Sequence, residues 1–149
     1  MKIAIGSDHA GFRLKEVLIP YLRDEGHEVT DFGTDSEQSV DYVDFVVPLA
    51  RAVARGEFAR GIFTCGSGIG PAVAANKIPG IRSAPASEEW SARDAVTHVD
   101  VNVLTLGQRV IGDELAKAIV DAYLKARPEG GRHERRREKI AALEKERVR

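Results

Sequence analysis

Short apolar runs alternate along this chain with longer segments in which apolar residues return every three to four positions. The first run, KIAIG after Met1, reads as a strand. In the FRLKEVLIPYLRDEG segment that follows, Phe12, Leu14, Val17, Leu18, Tyr21 and Leu22 recur near the 3.6-residue helical period, and Gly26 suits a helix end. HEVTDFG predicts a second strand and DYVDFVVPLARAVARGE a second helix. ARGIFTC, GIRSAPA and VNVLTLG predict three more strands, followed by helices over PAVAANK, SEEWSARDAVTHV and DELAKAIVDAYLKA. A series of five strand and helix pairs predicts an α/β fold with a parallel sheet covered on both faces, because each right-handed crossover lays its helix on the sheet. Pro20 and Pro48 fall inside predicted helices and are expected to kink or shorten them. RPEGGR predicts a break before a charged terminal helix over about residues 128–149.

Length and composition add limits. The 149 residues suit one domain, and 43% hydrophobic with 30% charged residues exclude disordered, collagenous and disulfide-rich classes. The single cysteine, Cys65, has no partner for a bridge within the chain, and Met1 leads into the first apolar run without the basic and apolar regions of a signal peptide. No stretch approaches the roughly 20 apolar residues of a membrane span. A cytoplasmic protein without membrane contact is expected. The net charge of −1 is unevenly spread: from Arg127 onward nine Lys and Arg stand against five Glu, leaving the body acidic. Such a tail could meet nucleic acid, but its charges are mixed and it has no aromatic residue to stack on bases, so a solvated helix holding some arginines for one task is the plainer reading.

Open α/β sheets bind ligands beyond the carboxyl ends of their strands, so the chemistry is sought there. Those ends carry GSDHAG, TCGSGIG, ASEEW and GQR. In the second of them Gly66, Gly68 and Gly70 precede Pro71, a residue favoured at the first position of a helix, and the loop's N–H groups could converge on an anion. No Gly-Lys-Ser/Thr follows, as a Walker loop needs. The third glycine comes one position early for a dinucleotide fingerprint, although Glu88 lies about 20 residues downstream, where that fingerprint has its acid. Alone, the loop reads equally well as a tight structural turn. Asp8 and His9 follow the first strand and could exchange protons with hydroxyl groups. They could equally be a helix cap and a surface group.

IGSDHAGFRLKE, VTDFGT, DYVDF, CGSGIG with AANKIPGIR, SAR with a following histidine, NVLTLGQRVIG and EGGRHERRREKI occur in that order over roughly residues 1–140. Together they resemble the B-type ribose-5-phosphate isomerases, in the family that includes the galactose-6-phosphate isomerases. The resemblance implies a three-layer, Rossmann-like α/β/α sandwich with a five-stranded parallel sheet. It implies no metal or organic cofactor, and a dimer or tetramer whose active sites are shared between subunits. It also implies aldose-ketose isomerisation of a sugar phosphate, ribose 5-phosphate first, through an enediolate.

By the same resemblance Cys65 is the base. A thiol of ordinary pKa near 8.5 needs positive potential beside it to act as thiolate at neutral pH, and the loop supplies that potential. The N–H groups of Gly66, Ser67, Gly68, Ile69 and Gly70 would receive the developing oxyanion. A second branch of the family uses a glutamate base where this chain has Pro71, which favours the cysteine branch. Ser67 would hold a sugar oxygen, and Asp8 and His98 match groups that open the furanose ring and orient hydroxyls. Without the resemblance, His98 is better read as a helix-terminal histidine on the helix dipole. Arg132 and Arg136, four apart, would grip the phosphate, with His9 and Arg109 helping, while Arg135 and Arg137 read as a solvated face. Tyr42 matches a pocket tyrosine or is packing. The chain departs from the family where Val99 replaces an amide, Trp90 a tyrosine and Val43 a proline, and SAPAS is an unusual ending for the fourth strand. These changes bring erythrose 4-phosphate, allose 6-phosphate and galactose 6-phosphate into competition as substrates. A non-catalytic phosphosugar- or nucleotide-binding module is the reading from another class.

Overall fold

The computed structural model describes residues 1–147. Five strands, β1 (Lys2–Ser7), β2 (Glu28–Asp31), β3 (Arg60–Cys65), β4 (Ser83–Pro85) and β5 (Val103–Gly107), form one parallel sheet in the order β2-β1-β3-β5-β4. Between them run α1 (Phe12–Asp24), α2 (Tyr42–Ala54), α3 (Ile69–Ala75) and α4 (Glu89–Val99), followed by α5 (Asp113–Lys125) and α6 (Arg132–Arg147). All five strands and the five helices that pair with them lie where the hydrophobic pattern predicts. Val148 and Arg149, the end of the expected tail helix, lie outside the described residues.

Strand alternation divides the core. Ile3 and Ile5 point to one face, against Leu14, Leu18 and Leu22 of α1 and Ile119, Val120 and Tyr123 of α5. Ala4 and Phe63 point to the other, against Val46, Leu49 and Val53 of α2 and Ala75 of α3. The sheet is thus covered on both sides. The chain leaves β1 toward β2 on one side and returns to β3 on the other, so strand order reverses between β1 and β3. Their carboxyl ends, Ser7 and Cys65, therefore flank the crevice where such sheets bind ligands.

Two local expectations are corrected. Pro20 and Pro48 do not shorten α1 and α2, which continue past them; both prolines are exposed, and water can take the carbonyl that a proline leaves unpaired. α3 begins at Ile69, two residues before the predicted start, which puts Pro71 third in the helix rather than first. It remains in the first turn, where the missing N–H costs nothing. Lys15 is 1% exposed; its ammonium donates to Asp31 Oδ2 and to the carbonyl of Thr34, both at 2.6 Å. That contact ties α1 to the segment after β2, whose Val40 N–H then reaches His9.

Gly11 shows how tightly the crevice is built. A Cβ there would lie 2.1 Å from the Thr64 carbonyl oxygen and 2.5 Å from the Cys65 nitrogen, both backbone atoms that cannot swing aside. Gly11→Ala is expected to destabilise the fold by about 3 kcal/mol or more, read as a fall in urea midpoint at unchanged m-value. A midpoint within error of the parent would show that the two segments yield freely.

Candidate active site

The carboxyl ends of β1, β3 and β5 meet in a cleft of about 380 Å³ that includes Asp8, His9, Tyr42, Cys65, Ser67 and Arg109. Each owes its position to a local feature of the chain. Asp8 Oδ1 accepts from the Gly11 N–H at 3.0 Å, so it caps the single 3-10 turn between β1 and α1 while lining the cleft. His9 Nδ1 accepts from the Val40 N–H at 3.1 Å, which aims the other ring nitrogen elsewhere. Asp8 thus takes the expected cap position while lining the cleft, and His9, half-buried, lines it as well.

Cys65 ends β3 and is 5% exposed. The Gly68 N–H donates to its sulfur at 2.9 Å. This is possible because Gly68 adopts φ +81, a left-handed turn that points its N–H back at the strand end. Two threonines fasten the surroundings: Thr105 Oγ1 donates to the Gly68 carbonyl at 2.6 Å, and Thr64 Oγ1 to that of Gly11 at 2.7 Å. The Ile69 N–H donates to Ser67 Oγ at 3.2 Å. The anion cradle is therefore narrower than expected, since Gly68 and Ile69 spend their N–H groups inside the loop. Those of Gly66, Ser67 and Gly70 are left for a ligand.

Two glycines in the loop make room for larger groups. A Cβ on Gly66 would lie 3.1 Å from Arg109 Nη1, and one on Gly70 would lie 2.6 Å from Tyr42 Cζ. The guanidinium and the phenol thus rest on the loop's two ends. Gln108 escaped the sequence reading: its backbone N–H donates to the Cys65 carbonyl at 2.7 Å and its side-chain oxygen accepts from the Leu14 N–H at 2.9 Å, fixing the β5 end against the loop.

His98, Val99, Arg132 and Arg136 do not line this cleft. The reason is topological. A helix after a parallel strand runs back along the sheet, so the last residues of α4 lie at the amino end, opposite Cys65. There His98 stacks on His133, ring centroids 3.9 Å apart and planes 9° from parallel, and its Nδ1 meets Asp94 Oδ1 at 2.7 Å. Val99 packs against the core, while Arg132 and Arg136 are exposed on α6. Arg137 is not a solvated residue as expected; it donates to the carbonyls of His98 at 3.2 Å and Glu129 at 2.8 Å, and so pins α6 to α4. Glu88 is likewise committed, since its carboxylate caps α4 at the Ser91 N–H, and hydrogen bonding from the Ser91 side chain and then its backbone N–H holds it below the usual carboxylate range.

His98, Glu129 and His133 bring their ligand atoms within 4.8 Å of one another. Nearly parallel rings direct their lone pairs in parallel planes, so the two imidazoles do not converge on a single ion. Among the described residues no helix is long and apolar enough to cross a membrane.

The family described as Ribose/Galactose Isomerase matches residues 3–140. Ribose-5-phosphate isomerase B of Escherichia coli strain K12 is 50% identical over 146 residues, 98% of each chain. D-erythrulose-4-phosphate isomerase of Pectobacterium atrosepticum is 42% identical over 97% of this chain and 95% of its own. The structure of ribose-5-phosphate isomerase B from Clostridium thermocellum superposes with a TM-score of 0.96 at 51% identity, over 98% of this chain and 99% of that one. With the family matching residues 3–140 and relatives about half identical over nearly the whole chain, the chain belongs to the Ribose/Galactose Isomerase family.

Proposed function

We propose that this protein interconverts aldose and ketose phosphates, with ribose 5-phosphate and ribulose 5-phosphate as the first pair, without a metal or organic cofactor. The observation that carries the reading is Cys65 Sγ at the end of β3, 2.9 Å from the Gly68 N–H and beside the free N–H groups of the same loop. The Cys65 thiolate takes the C2 proton of the open-chain aldose, the C1–C2 double bond forms, and the carbonyl oxygen becomes an oxyanion held by Gly66, Ser67 and Gly70. The O2 proton passes to O1, the C2–O2 double bond forms, and C1 recovers its hydrogen from the thiol. Ser67 holds a sugar hydroxyl, Tyr42 closes one wall, and Asp8 with His98 opens the ring.

A second copy of the chain supplies His98, Val99, Arg132 and Arg136, since one chain has them at the opposite end of its own sheet from Cys65. Exposed apolar residues around the cleft support this: Ile69, Val73 and Val110 are 56%, 57% and 60% exposed, more than a solitary sheet end needs. Arg132 and Arg136, with His9 and Arg109, hold the phosphate. The working unit is a dimer or tetramer of a one-domain chain, and a lone thiol that must stay reduced suits the cytoplasm.

The test is conversion of a panel of aldose phosphates by the purified protein with no added cofactor. Turnover of ribose 5-phosphate supports the reading; binding without turnover of any member would make the protein a phosphosugar-binding module instead. The panel includes erythrose 4-phosphate, because a relative is described as a D-erythrulose-4-phosphate isomerase. Val99 bears on the ranking, since an apolar side chain there leaves a sugar hydroxyl without a partner, a loss of about 1 kcal/mol. Val99→Asn is expected to raise kcat/KM for ribose 5-phosphate about five-fold relative to another aldose phosphate. An unchanged ratio would show that position 99 does not read the sugar and would turn attention to Trp90.

A further inference from the structure

Asp94 and His98 stand one turn apart on α4, and Asp94 Oδ1 meets His98 Nδ1 at 2.7 Å. His133, 5% exposed, covers one face of the His98 ring. Arg137 holds the backbone of the same turn through the His98 carbonyl. Burial, then the charges of His98 and Arg132, keep His133 below the usual histidine range. With one ring edge on a carboxylate and one face on a second ring, the edge left to a ligand is the one bearing Nε2. An ordinary surface pair on a helix would leave the ring free to turn. Here the stack removes that freedom.

We propose that Asp94 is a positioning residue of the isomerase: it holds His98 in the tautomer with hydrogen on Nδ1, which leaves the Nε2 lone pair to take the anomeric hydroxyl proton of the cyclic sugar phosphate. The inference rests on the reading that His98 opens the ring. Nε2 accepts the O1 proton, the O1 electrons form the C1–O1 double bond, the C1–O4 bond breaks, and O4 takes a proton from water. The hydroxide left behind then removes the proton from Nε2. Imidazole free in water favours the other tautomer, which would offer O1 a donor instead of an acceptor. The carboxylate also faces the positive charge that the ring gains during the step.

Nitrogen-15 NMR of the histidine rings in the full-length parent, Asp94→Ala and Asp94→Glu, with the His98 signals assigned by their loss in His98→Ala, reads the tautomer directly. The parent is expected to carry hydrogen on Nδ1 of His98, and Asp94→Ala to move it toward Nε2. In parallel kcat for ribose 5-phosphate should fall on the order of 10-fold with KM within about two-fold. Asp94→Glu, whose carboxylate still spans one turn, should keep both properties. A His98 tautomer that does not respond to Asp94→Ala overturns the inference, and so does a tautomer shift with kcat unchanged. If His98→Ala itself turns over ribose 5-phosphate at the parent rate, the ring-opening reading has failed and takes the inference with it; this case is recognised because the tautomer shift in Asp94→Ala persists.

Discussion

Cys65→Ala is expected to lower kcat for ribose 5-phosphate on the order of 10³-fold or more while leaving sugar-phosphate affinity within a few-fold. The thiol acts on a carbon-bound proton and makes little contact in the ground state, so its loss falls on the transition state. Folding should survive. The side chain is small, and its partner, the Gly68 N–H, lies in a loop still fastened by Thr105 to the Gly68 carbonyl. Calorimetric titration with ribose 5-phosphate and single-turnover assays separate the two effects. Retention of most of the activity would remove Cys65 from the mechanism. The same variant tests the shared site: each inactive parent lacks one group, and a mixed dimer of Cys65→Ala with His98→Ala has one site carrying both lesions and one carrying none. Random exchange of subunits should then restore about a quarter of the parent activity, since half of the dimers are mixed and each has one intact site. No recovery after verified exchange would place Cys65 and His98 of one chain in the same site or in unrelated ones.

The parts of the fold that could be read from the sequence are those that rest on period. Short apolar runs bounded by turn residues mark all five strands, and Leu14, Leu18 and Leu22 mark the buried stripe of α1. What escaped depends on contacts between distant segments. Lys15 sits on the apolar side of its helix because Asp31 and the Thr34 carbonyl, from another element, wait to receive its charge. Periodicity records that a charged residue interrupts the stripe; it does not say what lies opposite. Gln108 was hidden for the same reason.

The site divides along the same line. Asp8, His9, Cys65 and Arg109 follow strand ends, so the parallel-sheet argument brings them together from sequence alone. His98 and the arginines of α6 were reached through resemblance only, because a helix end at the amino side of the sheet offers no general reason for chemistry. Asp94 and His133 carried a weak local signal, an acid four residues before a histidine and a second histidine after a glycine pair. The stack and the carboxylate bond that join them are tertiary facts. Arg137 was misjudged because helical spacing gives direction around the axis, whereas its role comes from the carbonyl ends of α4 and the preceding loop.

Arg132→Ala and Arg136→Ala are each expected to raise KM for ribose 5-phosphate about 10- to 100-fold, the loss of one charge-assisted contact to phosphate. Both are exposed on the first turns of α6, one turn apart and on one face, so two guanidiniums can meet one phosphate. The unphosphorylated sugar should respond little to either change. Arg135→Ala, exposed on the same helix, should leave KM within about two-fold and serves as the control for lost tail charge. Arg137→Ala should behave differently from all three. It removes one bond to the end of α4 and one to the loop before α6, so it should lower stability by about 1 to 3 kcal/mol and loosen the whole clamp, with thermal unfolding as the readout. If all four variants raise KM alike, the tail attracts phosphate only by its net charge. If instead the tail binds duplex DNA with an affinity falling steeply with salt, and KM stays unchanged, the arginines serve nucleic acid and the phosphate must be held elsewhere, with Arg109 and the His9 ring N–H in the cleft as the next candidates.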